Sequence, residues 1–219
     1  MRVPLFLTIV LTVIGGAAVL LQGIAALLQL GPVERERDSW QKPSEILQAL
    51  DLHQGATVVD LGCGSGYFTL KLSPLLGNQG RVLAVDIRRE PLIFLWIRSL
   101  VLPAHNVSII HGQTTDATLG TVRLDAALIS NTYHELTSAP AILEQLHRSL
   151  RRSGRLVVVD RGPELSSESR QVEMQHHEVP LHLAEREIVQ AGFQILSGQD
   201  RFIYSSTDSP WWLIVAVKP

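Results

Sequence analysis

The sequence predicts an α/β fold: a seven-stranded, mostly parallel sheet with helices on both faces and a C-terminal antiparallel hairpin, preceded by one transmembrane helix. Three observations carry this expectation. Short segments rich in Val, Ile and Leu are apolar on successive residues, as strands are when both faces of a parallel sheet are covered. They alternate with segments of helical spacing, which implies βαβ units with right-handed crossovers. The final stretch holds strands with no room for a helix between them, and a short connection forces antiparallel pairing. A chain of 219 residues is long enough for one such domain with a real core and leaves little for a second.

The first element is apolar throughout. From Val3 to Gly31 no side chain is ionisable, and Leu, Ile, Val, Ala and Phe dominate. As a helix rising about 1.5 Å per residue, the run reaches roughly 40 Å, more than the roughly 30 Å of a bilayer's hydrocarbon. Residues 1–31 therefore read as a membrane anchor. A cleaved signal peptide with Gly16-Ala17-Ala18 as its small-residue site is one alternative, although cleavage there leaves Val19-Leu20-Leu21 as an apolar stub. A buried helix is another. Arg35, Arg37 and Lys42 beyond the run outnumber Arg2 before it, which favours the downstream side as cytoplasmic. Gly31-Pro32 is expected to break the helix, leaving residues 32–42 as a charged connector with one aromatic, Trp40.

The domain proper, residues 43–219, opens at Pro43, which suits the first turn of a short helix carrying Ile46, Leu47 and Leu50 on one face. Strands are expected at Thr57–Leu61, Arg81–Asp86, Val107–His111, Leu124–Ser130 and Arg155–Asp160. Helices are expected at Tyr67–Leu76, Pro91–Val101 and Ala139–Arg152, the last stopped by Ser153-Gly154. Val179–Ala191 reads as a helix closed by Gly192. Phe193–Leu196, Arg201–Tyr204 and Trp211–Val217 follow as two or three strands with a turn at Ser205–Pro210.

Composition narrows the function. The formal net charge is -2, so no basic surface points to nucleic acid as a partner. Cys63 is the single cysteine and can form neither an internal disulfide nor a cysteine-rich metal site. Its place between two loop glycines makes it a small residue that fits, not a nucleophile.

The most informative run is Val58-Val59-Asp60-Leu61-Gly62-Cys63-Gly64-Ser65-Gly66, which leaves a buried strand and enters a helix. Glycines here permit a tight turn and close backbone approach to a ligand across the strand end. A dinucleotide fingerprint needs glycines at its first, third and sixth positions so that pyrophosphate can sit on the helix N-terminus. Here the sixth position is Tyr67. Asp60, two places before the first glycine, would also repel a phosphate. A ligand with a cationic or hydroxylated part and no phosphate fits better. Asp86 ends the second strand, twenty residues after Gly66. A carboxylate there can accept hydrogen bonds from both ribose hydroxyls of an adenosine, or it can cap the next helix.

The glycine motif, its spacing to Asp86 and the terminal hairpin together resemble the class I S-adenosylmethionine-dependent methyltransferases, which share a Rossmann-like sheet. The likeness covers roughly Trp40 to Pro219. Trp40-Gln41-Lys42-Pro43, Gly66-Tyr67-Phe68-Thr69 and Asn131-Thr132-Tyr133-His134-Glu135 are similar to a bacterial group of small enzymes related to the ubiquinone/menaquinone-type methyltransferases. The resemblance implies S-adenosylmethionine as cofactor, with Gly62, Gly64 and Gly66 bordering its methionine part, Asp60 near its amino group and Asp86 on its ribose. Tyr67 and Asn131 join the implied contacts. Near the adenine the family often has an aspartate directly after a glycine; here Gly112 is followed by Gln113, and Asp116 comes later.

Methyl transfer from a sulfonium is an in-line displacement, so holding donor and acceptor at near-attack distance supplies much of the catalysis. A base is needed where the acceptor carries a proton. Asn131, Tyr133, His134 and Glu135 follow the fourth strand at the sheet's ligand edge. His134 would take the proton, Glu135 would orient it, and Tyr133 would wall the sulfonium with its ring. Alternatively Glu135 starts the next helix and His134 packs over the cofactor. Glu164–Glu178 is expected to arch over the pocket and includes His176, His177 and Glu178, with His182 beyond. The spacing of His177 and His182 does not place both on one helical face and Pro180 intervenes, so no metal is expected. A polar lid touching substrate and a plain solvated helix both remain open.

The leading functional expectation is methyl transfer to a small-molecule or lipid-like acceptor. A membrane-tethered module that binds or senses the cofactor without catalysis is the alternative. A nicotinamide-dependent oxidoreductase is a third, disfavoured by Tyr67.

Overall fold

The computed structural model describes Gly16 and residues 30–163, 174–204 and 209–219. Two compact units divide the chain, Met1–Gln41 and Lys42–Pro219. In the first, residues 30–41 are helical. Gly31-Pro32 therefore does not end the helix as expected; the Glu- and Arg-rich run behind it is made of good helix formers. The anchor expected over residues 1–31 lies outside the described residues except at Gly16, Leu30 and Gly31. Among the described residues no helix is long and apolar enough to cross a membrane.

The second unit is the α/β domain. In chain order it runs α1 (Pro43–Ala49), β1 (Thr57–Leu61), α2 (Tyr67–Leu76), β2 (Arg81–Asp86), α3 (Arg89–Val101), β3 (Val107–His111), β4 (Leu124–Ser130), a single 3-10 turn (Tyr133–Glu135), α4 (Ala139–Ser149), β5 (Leu150–Arg161), α5 (Leu181–Gln190), β6 (Gln194–Ile203) and β7 (Trp211–Val217). The strands form one seven-stranded sheet in the order β3-β2-β1-β4-β5-β7-β6. The first five pair in parallel, and β7 runs antiparallel to both β5 and β6. The hairpin is as expected, but its second strand β7 inserts between β5 and β6.

Burial explains why the strands are apolar on successive residues. On β1, β2, β4, β5 and β7 alternate side chains enter opposite cores. Val59, Leu83, Ala127, Ile129, Val158 and Ile214 pack on one face with α4 and α5. Val58, Val82, Ala126, Leu128, Val157 and Leu213 pack on the other with α1 and α2. Each fully buried Val, Leu or Ile contributes about 1.5–3 kcal/mol by leaving water. Both faces are covered, so neither shows a polar period of two.

The largest departures from the sequence reading are at α4, β5 and β6. α4 ends at Ser149, and the expected helix stop at Ser153-Gly154 lies inside β5. There Leu150 pairs with Leu124 before a register shift, and Ser153, at φ 63, donates its backbone N–H to the Lys218 carbonyl. The sheet captured residues whose local signals favour a turn. The two separate tail strands merge into β6, which reaches β7 across two register shifts. Of the expected lid, residues 164–173 lie outside the described residues, as do residues 205–208 of the expected turn.

Candidate functional site

Sheet order reverses between β1 and β4, so the loops leaving these two strands diverge and open a crevice at their C-terminal ends. The cleft there is lined by Gly62 behind β1, Asp86 and Arg88 behind β2, Gly112, Gln113 and Thr114 behind β3, and Thr132 and Glu135 behind β4. Of the glycine loop, Leu61 and Gly62 line it. Gly62 and Cys63 donate their backbone N–H groups to the Val85 carbonyl at 2.8 and 3.0 Å, which ties the loop to β2. Arg98, buried on α3, donates to the Ser65 carbonyl at 2.7 Å and holds the loop from behind. Nothing in the sequence pattern marked Arg98 for this task.

Gly62 and Gly64 are glycine for different reasons. Gly62 has φ 74, and a Cβ there would stand 2.1 Å from Thr132 Oγ1, so β1 and β4 meet too closely for any side chain. Gly64 has φ 53, and a Cβ would meet nothing within 4 Å. Gly66, at φ 91, stands at the N-cap of α2.

Asp86 is 4% exposed. Its Oδ2 accepts the Gly64 N–H at 2.9 Å and its Oδ1 accepts the Arg88 N–H at 2.8 Å. The carboxylate thus shapes the loop and caps the chain entering α3, and each oxygen keeps a lone pair for a further donor. Asp60 is also buried, and its Oδ2 accepts the Thr69 hydroxyl of α2 at 2.6 Å. Two carboxylates flanking the loop make it hospitable to a cation. They also act on Cys63: burial first, then the charges of Asp60 and Asp86, push its thiol well above the ordinary range. Asn131 ends β4 in the left-handed region (φ 54), and its buried Oδ1 has no hydrogen-bond partner among the described residues.

The strongest polar pair is one the sequence reading missed. His134 is 3% exposed and Asp160, near the end of β5, is fully buried. Asp160 Oδ2 accepts the His134 backbone N–H at 2.9 Å, and Oδ1 lies 2.8 Å from His134 Nδ1. A carboxylate only accepts, so Nδ1 carries the proton and Nε2 is left as a free lone pair. Glu135, expected to orient His134, instead places Oε1 3.9 Å from Nε2, on the other side of the ring. The only hint in the sequence was an aspartate closing an otherwise apolar strand.

Three expected contacts are placed elsewhere. Tyr133 is fully buried and donates its hydroxyl to Glu187 of α5 at 2.5 Å, with its ring against Trp212. It ties the 3-10 turn to the core instead of walling a cation. Tyr67 is buried edge-on against Phe68 with Lys71 over its ring. Asp116 turns back on its own loop, accepting the Thr118 N–H at 2.7 Å. Neither Tyr67 nor Asp116 lines the cleft, whereas Gln113 and Thr114 do.

The comparisons with known proteins agree with this architecture. Residues 52–202 match the family described as methyltransferase domain. A demethylmenaquinone methyltransferase of Oceanobacillus iheyensis is 21% identical over 122 residues, 56% of this chain and 50% of that protein. A 2-phytyl-1,4-naphtoquinone methyltransferase of Nostoc sp. is 30% identical over 107 residues, 48% of this chain and 47% of that protein. The chain thus spans about half the length of the curated relatives it matches. Among solved structures, an S-adenosylmethionine-dependent methyltransferase of Aquifex aeolicus superposes with a TM-score of 0.68 at 22% identity, covering 81% of this chain and 89% of that one. The [4+2]-cyclase SpnF superposes with a TM-score of 0.69 at 15% identity, covering 82% and 80%. With the family matched over most of the domain and the glycine loop in place, the chain belongs to the methyltransferase-domain family.

Proposed function

We propose that this enzyme methylates a lipid-like acceptor of the reduced-quinone type, with Asp86 holding the donor's ribose and His134 accepting the acceptor's proton. The observation that carries the reading is the His134–Asp160 pair, whose histidine is adjacent in the chain to Glu135, which lines the cleft together with Gly62 and Asp86. The acceptor class rests on the quinone methyltransferases among the relatives.

The cleft's chemistry fits the donor. Asp86 offers a free lone pair on each oxygen for the two ribose hydroxyls. Gly64 leaves open space over the loop, and Gly62, Gly64 and Gly66 border the methionine part. The unpartnered Asn131 Oδ1 is an acceptor awaiting a donor such as an ammonium group, and Asp60 adds negative charge below the loop. Gln113 and Thr114, which line the cleft where Asp116 does not, would take the adenine end. When bound, S-adenosylmethionine supplies an electrophilic methyl group on a sulfonium.

His134 and Asp160 act at the other partner. A phenolic hydroxyl is a poor nucleophile until its proton leaves, and Nε2 is the only side of the imidazole able to receive it. Asp160 fixes the tautomer and stabilises the imidazolium that forms. Glu135, half exposed and lining the cleft, orients the acceptor. The apolar run of residues 3–31 would hold the domain on the cytoplasmic side of a bilayer, where such an acceptor dissolves.

The test is incorporation of label from methyl-labelled S-adenosylmethionine by the full chain into reduced quinones and into lipid extracts. Label in the lipid fraction is expected. A second reading is cofactor binding without methyl transfer to any acceptor, since the fold, shared with a [4+2]-cyclase, does not by itself require methyl transfer. Saturable cofactor binding with no incorporation into any fraction would select it.

A further inference from the structure

We infer that His134, Glu135 and His177 form a binding site for a divalent transition metal of the zinc type, seated at the acceptor end of the cleft. The spacing of histidines along the chain argued against a metal because it compared neighbours in sequence. The fold instead brings His177 to His134 from more than forty positions away. Their rings meet edge to face with centroids 5.3 Å apart. One donor atom from each of His134, Glu135 and His177 falls within 4.8 Å of the others. Donors bound about 2.1 Å from a tetrahedral zinc ion stand about 3.4 Å apart, so the site closes by a contraction of about 1.4 Å or less, within reach of side-chain rotation. Glu135 and His177 are both exposed and free to make that adjustment, while His134 is buried and fixed.

The fixed ligand is arranged as metal-bound imidazoles are. A ligating histidine donates its other ring N–H to a carboxylate, which sets the tautomer and raises the basicity of the ligating nitrogen. Asp160 does this to Nδ1 at 2.8 Å, leaving the Nε2 lone pair aimed at the Glu135 side. Two imidazoles and a carboxylate suit zinc, cobalt or nickel better than magnesium or calcium. Three protein ligands leave a fourth position for a water or an acceptor oxygen. Glu135 also lines the cleft, so that position opens toward it. One consequence rests on the role proposed for His134: with metal on Nε2 the imidazole cannot accept a proton, so metal-loaded and metal-free enzyme must deprotonate the acceptor differently.

The test is binding itself, which needs no acceptor. Full-length protein stripped with chelator is titrated with Co2+, read by its visible ligand-field absorption, and the cobalt is then displaced with Zn2+. Saturable binding at one ion per chain is expected. His177→Ala and Glu135→Gln change exposed side chains and keep the fold; each should weaken binding about 10-fold or more, and Asp160→Asn about 10- to 100-fold. His176→Ala and His182→Ala should leave it unchanged. Absence of saturable binding would overturn the inference. So would binding that survives His177→Ala and Glu135→Gln, or falls equally with His176→Ala. A failed methyl-transfer assay would leave the binding result standing.

Discussion

Asp160→Asn is the most revealing single change, because the carboxylate accepts three hydrogen bonds and an amide can accept on one side only. The three come from the His134 backbone N–H, His134 Nδ1–H and the Arg161 N–H, at 2.9, 2.8 and 2.8 Å. If the amide nitrogen replaces Oδ2, it faces the His134 N–H, donor against donor in a fully buried place. That orphaned donor costs about 1–3 kcal/mol with nothing gained. If it replaces Oδ1, the bond from Arg161 is lost, but the amide donates to Nδ1 once the ring proton moves to Nε2. Each arrangement keeps two hydrogen bonds, but the second orphans the part-buried Arg161 N–H and not the buried His134 N–H, so it costs less and wins. It also disarms the base proposed at His134, since Nε2 now carries the proton. A positioned general base is worth about 10²- to 10⁴-fold in rate, or about 3–5 kcal/mol of barrier. Single-turnover transfer of labelled methyl should therefore fall about 10²-fold or more, while calorimetric affinity for S-adenosylmethionine stays near that of the wild type. Folded Asp160→Asn protein with unchanged turnover would refute the tautomer argument.

Further predictions concern other parts of the site. Gly62→Ala pushes a methyl into Thr132 at a left-handed backbone position and should cost about 3 kcal/mol or more in chemical denaturation. Gly64→Ala meets no neighbour, so it should cost only about 1 kcal/mol of backbone strain yet weaken cofactor binding by filling the open space beside the loop. Cys63, its thiol held protonated by burial and two carboxylates, should be alkylated by iodoacetamide at about pH 8 far more slowly in the folded protein than in denaturant. His147 is held below the ordinary histidine range by burial and then by Lys218. Protonation thus favours the unfolded chain: this group's stabilisation is whole above the ordinary value of about 6.5 and is lost as pH falls toward the folded value. His147→Phe, packed against Phe193, should flatten the decline in melting temperature between about pH 7 and about pH 5.

Much of the fold was legible because the sheet is covered on both faces. Strands β1 to β4 fall where runs of successive apolar residues place them, and α2 matches its expected limits. What misled were residues with strong local signals under tertiary control. Ser153-Gly154 looks like a helix stop yet pairs within β5, and Gly31-Pro32 looks like a break yet lies in a helix. At the site, the placing of the glycine loop and Asp86 at the strand ends was legible because it depends on contiguous backbone and a fixed strand spacing. The His134–Asp160 pair was not. It depends on β4 lying beside β5 with Ser130 opposite Val159, a register no local pattern encodes. Tyr133 was misread for the converse reason: a ring at the ligand edge suggests a cation wall, but only its partner Glu187 reveals that it faces the core.

The central claim is that the cleft between β1 and β4 holds the methyl donor through Asp86 and the glycine loop. Calorimetric titration of the full chain and of Asp86→Ala with S-adenosylmethionine, and of the full chain with NAD, tests it most directly. Two charge-assisted hydrogen bonds at about 1.5–3 kcal/mol each set the expected loss at about 10²-fold or more. Saturable binding of S-adenosylmethionine by the wild type, none of NAD, and that loss in a folded Asp86→Ala protein are expected. Equal affinity in the two proteins, or binding of NAD in place of S-adenosylmethionine, would contradict it.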